Sequence, residues 1–330
     1  MNSDTTAAPL LSIRCAAYNQ ADYIRQTLEG FVMQQTDFRF EAVVHDDAST
    51  DATASIIREF AAAHPSIIKP IYEEENLYSR HDGSLRRVMT AHATGKYIAM
   101  CEGDDYWTDP QKLQRQVDFL ETHPDYTMVC CRARRYSERR QRFVSDSHCY
   151  DETRDVDTND IILRGGLFIS TCSIVYRRSV LDDYPDYAAR CHVSDYPLQI
   201  LCAMRGKVHY MDEPMCVYRI ENNTSWVGRQ KGCVTAAKVR GYVSEVEMLK
   251  GFAADHPAYA HVFERRIRRY ILWVVPLRKS DPEGEKRVRE AFADDIRRFP
   301  PMVRLLLWMA VRNKTLRRWQ RSWGRRLGIA

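Results

Sequence analysis

Gly95-Lys96-Tyr97-Ile98-Ala99-Met100-Cys101-Glu102-Gly103-Asp104-Asp105-Tyr106-Trp107 decides how the rest of the chain is read. A short apolar run, Lys96 to Cys101, follows a glycine and ends in three carboxylates. Such a run between breakers reads as a buried strand. Acidic residues often mark only the exit of a strand. Like charges crowded together repel, however, and usually answer to a cation or a function. Gly103 permits a tight backbone among them.

The same pattern recurs upstream. Phe40 to His45 reads as a strand ending at Asp46-Asp47, and Leu10 to Ala17 as another, bounded by Pro9 and Asn19. Ile67 to Tyr72 is a further strand. Helical spacing fills the intervals: Ala21 to Gln34, a helix capped by Ser49 or Asp51 and running to Ala63, Leu85 to Ala93, and Pro110 to Leu120. Strands alternating with helices imply βαβ units, hence an α/β fold with a mainly parallel sheet. Ligands of such sheets bind beyond the carboxyl ends of the strands, where these polar residues converge.

Farther out, Thr127 to Arg164 is irregular, and Gly165 to Tyr176 is a small, apolar loop leading into a strand. Ser194 to Arg205 is helical. Lys207 to Tyr218 reads as two short strands turning at Asp212-Glu213-Pro214. From about Gln230 the chain is helical, with breaks near Pro257, Pro282 and Pro300-Pro301. The expected division is an α/β domain over 1–228 and a helical region over 229–330.

Of the 49 basic residues, eight lie in 301–330, which has no Asp or Glu; the remaining 41 face 44 acidic residues. The body is near neutral and the tail basic, which points to an anionic partner. Met302, Leu305, Met309, Leu316, Trp319, Trp323 and Leu327 form one helical stripe flanked by arginines, as an interfacial membrane helix requires. A helix packed on the α/β body is the plainer alternative. No nucleic-acid reading motif accompanies the charge. No apolar run of about 18 residues suggests a spanning helix, and Met1 to Pro9 lacks a signal core. The ten cysteines have no regular spacing and read as reduced, buried thiols. The expected place is cytoplasmic, peripheral on the inner face of the cell membrane.

Tyr18-Asn19, Asp46-Asp47-Ala48-Ser49-Thr50-Asp51, the opening stretch, Asp109-Pro110, Lys112-Leu113, Ser194-Asp195-Tyr196 and Tyr218-Arg219 together resemble family 2 glycosyltransferases of GT-A fold. The resemblance covers roughly residues 9–226. It implies an inverting transferase that takes a nucleotide sugar, with UDP the expected nucleotide, and passes the sugar to a saccharide or lipid-linked saccharide. Tyr18 would stack near the nucleobase, and Asp47 would bond the base or ribose. Asp104 would contact the ribose and the metal shell, and Asp105 would ligate the metal. Asp195 would be the general base, although a carboxylate there is equally a helix cap.

A diphosphate leaving group calls for a hard divalent cation, Mn²⁺ or Mg²⁺, on oxygen ligands. The family often has Asp at Glu102, and often a metal-approaching His where Glu221 stands, so Glu221 is a further candidate ligand. Gly165 to Ser173 matches the segment that lines the acceptor pocket, and Arg80, Arg86 or Arg87 is a candidate contact for the base or diphosphate. Two other readings compete. A sugar nucleotidyltransferase would need a glycine-rich loop where Cys15-Ala16-Ala17-Tyr18-Asn19 stands. A non-catalytic binding module would have no need to keep Asp47, Asp104, Asp105 and Asp195 together.

Overall fold

Leu11, Ile13 and Cys15 have no solvent exposure, and the strand that carries them, β1 (Leu11–Ala17), lies inside the sheet. The computed structural model describes residues 8–80, 82–222, 234–275 and 281–312. Two compact units account for the chain: one of residues 1–184 and 194–230, the other of 185–193 and 231–330. Residues 185–193, before the expected division at 228, thus group with the helical unit.

In the first unit β1 is followed by α1 (Ile24–Val32), β2 (Phe40–Asp46), α2 (Thr53–Ala63), β3 (Ile68–Tyr72), α3 (Ser84–His92) and β4 (Tyr97–Met100). The short β5 (Tyr106–Trp107) and α4 (Lys112–Thr122) come next. They are followed by β6 (Tyr126–Ser137), β7 (Arg142–Ser147), β8 (Arg154–Asp155), α5 (Thr158–Arg164) and β9 (Val175–Arg177).

α6 (Asp186–Ala189) belongs to the second unit, and α7 (Asp195–Arg205) and β10 (Lys207–Ile220) return to the first. The strand order is β3-β2-β1-β4-β9-β6-β10-β5, with β7 on β6 and β8 on β10. β3, β2, β1 and β4 run parallel. β9 is antiparallel to both β4 and β6, so the sheet is parallel in one half and mixed in the other.

Two expectations need correction. The stretch read as irregular contains the 12-residue β6. Its arginines hid it: Met128 to Cys131 are buried, but Arg132, Arg134 and Arg135 break the apolar run. Lys207 to Tyr218 is not two strands with a turn but one strand, β10, paired in parallel with β6. Pro214 has no N–H to give the ladder. The register shifts on both sides of it, between Met211 and Pro214 and between Pro214 and Cys216, and pairing continues through the irregularity.

All nine described cysteines are free and eight are buried. Burial raises the thiol pKa of Cys15 and Cys101, so these act as small apolar side chains.

The second unit contains α8 (Ala236–Asp255), α9 (Ala260–Val274), α10 (Pro282–Ala291), α11 (Ala293–Arg298) and α12 (Pro301–Arg312). Val246, Leu249 and Phe252 of α8 meet Phe263 and Ile271 of α9 in its core, with Phe252 and Phe263 stacked at 6.0 Å. Asp281 caps α10 by accepting the Gly284 N–H at 2.9 Å. Along α12, Val303 and Leu307 are buried while Met302, Leu305 and Trp308 are exposed. The rest of the expected stripe, Leu316 to Leu327, lies outside the described residues. No described helix is long and apolar enough to cross a membrane.

Candidate active site

The loops after β1, β2 and β4 meet, and polar side chains lock them together. The first two are stapled by four contacts. Asn19 N–H donates to Ser49 Oγ (3.0 Å), Thr50 N–H to Asn19 Oδ1 (2.8 Å), Gln20 N–H to Thr53 Oγ1 (2.8 Å) and Ala21 N–H to Asp51 Oδ2 (3.1 Å). The acidic loop, residues 102–105, hangs from α1: Thr27 Oγ1 donates to the carbonyls of Asp105 (2.6 Å) and Gly103 (3.0 Å). Gly103 is required there for space. A Cβ at that position would lie 2.3 Å from Gln20 Oε1 and 3.0 Å from the Ala17 Cβ.

Asp105 is 2% exposed, and its Oδ1 accepts the Arg219 N–H at 2.8 Å. Burial, then the neighbouring Asp104, pushes its carboxyl well above the usual carboxylate range. Asp104 is partly exposed, and its Oδ2 accepts from Asn222 Nδ2 at 2.9 Å. Glu102 is raised to about 7 by burial and Asp104; Arg14 opposes the shift and Asp195 adds to it.

Asp195 opens α7. Its Oδ1 accepts the Tyr196 N–H at 2.8 Å, and its Oδ2 accepts from Thr171 Oγ1 at 3.2 Å. Burial raises this carboxyl too. Tyr218 lies among the same charges: burial, Asp105, Asp104 and Asp195 all push its hydroxyl pKa up. The carboxylates of β4's loop and of α7, far apart in sequence, therefore share one electrostatic neighbourhood.

The loop between α5 and β9 is held in place from the sheet and from α7. Trp107 Nε1 donates to the Cys172 carbonyl at 2.9 Å, fixing residues 171–173. Gly166 lies against Tyr196, where a Cβ would come within 3.0 Å of the ring-bearing Cβ and 3.7 Å from Asp195 Oδ1. The small residues of Gly165 to Ser173 thus bring backbone close to the carboxylate of Asp195.

Not every expected residue joins this cluster. Tyr18 is half-buried at the end of β1, where the sequence places it. Asp47 is buried, and both of its oxygens already accept backbone N–H groups, from Leu77 (2.7 Å) and Tyr78 (3.0 Å). It fastens the loop after β3. Its neighbour Asp46 was not singled out from the sequence. Asp46 is 3% exposed, with Oδ2 3.4 Å from the Ser49 nitrogen and Oδ1 without a hydrogen-bond partner among the described residues. Two adjacent aspartates at a strand end look alike in sequence; only the neighbouring loop decides which oxygen is left over.

The Glu221 carboxylate is engaged by Ser137 Oγ (2.5 Å), Arg139 (2.8 Å) and Arg140 (3.8 Å), which hold it below the usual glutamate range. Arg80 pairs with Glu75, Arg87 with Asp82, and Arg86 lies over the Tyr184 ring. Among the described residues no three His, Cys, Asp or Glu side chains come together as a metal cage. Two crowded carboxylates still suit a hard cation, because Mg²⁺-type ions are commonly held by one or two carboxylates and the substrate's own phosphates.

Known proteins share the fold and parts of the sequence. TarS of S. aureus, solved in complex with UDP-GlcNAc, superposes with a TM-score of 0.66 at 18% identity, over 96% of this chain and 92% of that one. At that identity the likeness establishes the fold, which is GT-A. An uncharacterized protein of Mycobacterium tuberculosis is 39% identical over 216 residues, 66% of this chain and 60% of its own length. The matched stretch thus spans less than two thirds of that relative. An Escherichia coli UDP-Glc:alpha-D-GlcNAc-diphosphoundecaprenol beta-1,3-glucosyltransferase is 36% identical over 113 residues, 34% of this chain and 42% of its own. The glycosyl transferase family 2 model matches residues 12–185, a little over half of the chain and the part that carries both acidic clusters, and the chain belongs to that family.

Proposed function

We propose that the protein transfers a sugar from a nucleotide sugar, a UDP-sugar, to a hydroxyl of a saccharide or lipid-linked saccharide in cell-surface polysaccharide synthesis, inverting the anomeric centre. The observation that carries this reading is that Asp104 and Asp105, in the loop after β4, lie near enough to Asp195, at the start of α7, for all three to act on Tyr218. The likeness to a glucosyltransferase acting on a diphosphoundecaprenol-linked sugar supports the substrate class.

In this reading Tyr18 packs on the base. Asp46 supplies the buried acceptor oxygen for a base or ribose donor, and Asp47 holds the neighbouring loop in position. Asp104 and Asp105 would hold a divalent cation, Mn²⁺ or Mg²⁺. When bound, the cation neutralises charge developing on the leaving group. Glu221, held by Ser137 and the two arginines, contributes to the edge of the site rather than to the cation.

Asp195 takes the proton of the acceptor hydroxyl as that oxygen attacks, and the loop at Gly165 to Ser173 brings the acceptor to it. An elevated carboxyl pKa makes Asp195 a stronger base than an ordinary aspartate. Inversion follows from a single displacement opposite the diphosphate.

Titration calorimetry with UDP and with GDP, each in Mn²⁺ and in EDTA, tests the donor site. Manganese-dependent binding of UDP is the expected outcome. A folded protein that binds neither nucleotide would sink the reading in favour of a non-catalytic module.

A further inference from the structure

We infer that Arg219 is a positioning residue for the donor site, holding the acidic loop from below through contacts to both of its aspartates. Arg219 lies near the end of β10, and its side chain is 5% exposed. Its main-chain N–H donates to Asp105 Oδ1 at 2.8 Å. One terminal guanidinium nitrogen donates to the Asp104 carbonyl at 2.7 Å, the other to Gln26 Oε1 on α1, and Nε pairs with Glu138 Oε1 at 2.9 Å. The guanidinium lies 4.5 Å from the centre of the Tyr106 ring and 5.2 Å from that of Tyr23. One residue thereby fixes the backbone of Asp104 and the side-chain direction of Asp105.

A buried Arg–Glu pair is expensive to desolvate and seldom adds stability over apolar residues of the same volume. Its gain here is geometric. The planar guanidinium, held through each of its three nitrogens, favours one orientation of the loop, where lysine would offer only a point charge on a flexible stem. With Oδ1 of Asp105 tied to β10, the direction of the carboxylate is set before any ligand arrives. Outer groups that orient a metal's ligands commonly matter nearly as much as the ligands themselves.

The inference rests on the proposed donor site, and its test separates the two. The full chain and its Arg219→Gln, Arg219→Lys and Glu138→Gln variants are titrated with UDP across a Mn²⁺ series and in EDTA. Melting temperature is measured in parallel. Arg219→Gln is expected to raise the Mn²⁺ concentration for half-maximal UDP binding by about tenfold or more while leaving UDP binding in EDTA unchanged. Arg219→Lys should restore part of the loss. Glu138 is nearer the surface, so Glu138→Gln should fold and shift the Mn²⁺ requirement in the same direction; it carries the test if Arg219→Gln does not fold. Wild-type Mn²⁺ dependence in the folded variants overturns the inference. So does a loss of UDP binding in EDTA and in Mn²⁺ by the same factor. Wild-type protein that binds neither UDP nor GDP in Mn²⁺ overturns the donor site and this inference together.

Discussion

Asp195 carries the sharpest prediction at the scale of single residues. Asp195→Asn keeps the size of the side chain and an acceptor oxygen for Thr171 or the Tyr196 N–H, but cannot take a proton. Transfer should fall by about 10²- to 10⁴-fold, the usual contribution of a general base, while UDP affinity in Mn²⁺ stays at the wild-type value. An equal loss of both would refute the assignment. Because burial raises the carboxyl, the acid limb of kcat/KM against pH should lie above that of an unperturbed aspartate, and activity should fall as pH drops through it. A limb at the ordinary aspartate position would show that another group titrates. What was legible in sequence at this scale is placement: Asp104 and Asp105 follow the buried strand β4, and Asp195 opens a helix. The roles of Asp46 and Glu221 were not legible, because they depend on which side chains face them. The Ser49 loop leaves one oxygen of Asp46 over, and Arg139 and Arg140 engage Glu221.

Elements show where pattern reading works and where it stops. β1, β2 and β4 are buried apolar runs ending in polar loops, and the sequence displays them plainly. β6 and β10 are legible only as a pair, since each carries charge or a proline that the partner's ladder tolerates. α1 matters through its contact with the acidic loop as much as through its core face. Thr27 is fully buried and holds two carbonyls of the acidic loop. Thr27→Val preserves shape but strands those carbonyls, and should cost about 1–3 kcal/mol in chemical denaturation. It should also weaken Mn²⁺-dependent UDP binding. Unchanged stability would mean that other donors reach the loop.

Across the whole molecule, the crowded carboxylates set a pH dependence of stability. Glu102 and Asp105 have folded-state pKa values above their unfolded ones. Their contribution is complete below the unfolded pKa and is lost as pH rises through the folded value, which for Glu102 is about 7. In EDTA the melting temperature should therefore fall between about pH 4.5 and 7.5, and Mn²⁺ with UDP should flatten that fall. A melting temperature that rises over this window in EDTA would contradict the electrostatic account.

Met302, Leu305 and Trp308 of α12 are exposed, with Arg304 beside them, and the membrane expectation drawn from the sequence predicts that they meet an anionic lipid surface. Each nearby basic residue adds roughly 1 kcal/mol of attraction at low salt. Leu305→Glu with Trp308→Glu should abolish cosedimentation with phosphatidylserine vesicles, and high salt should weaken it in the wild type. Vesicle binding that survives the double substitution would place the contact elsewhere.

The pairing of Asp105 with Arg219 spans 114 residues. During synthesis the aspartates leave the ribosome long before the strand that completes their support, so the nascent chain holds its acidic loop from β1 and α1 alone until β10 is made. Assembly of the donor site is consequently a late event in the life of the chain, tied to the slow closing of a distant parallel pair. A fragment stopped before Lys207 keeps the acidic loop, its Thr27 anchor and all of α7, yet lacks the strand whose Arg219 ties down Asp104 and Asp105.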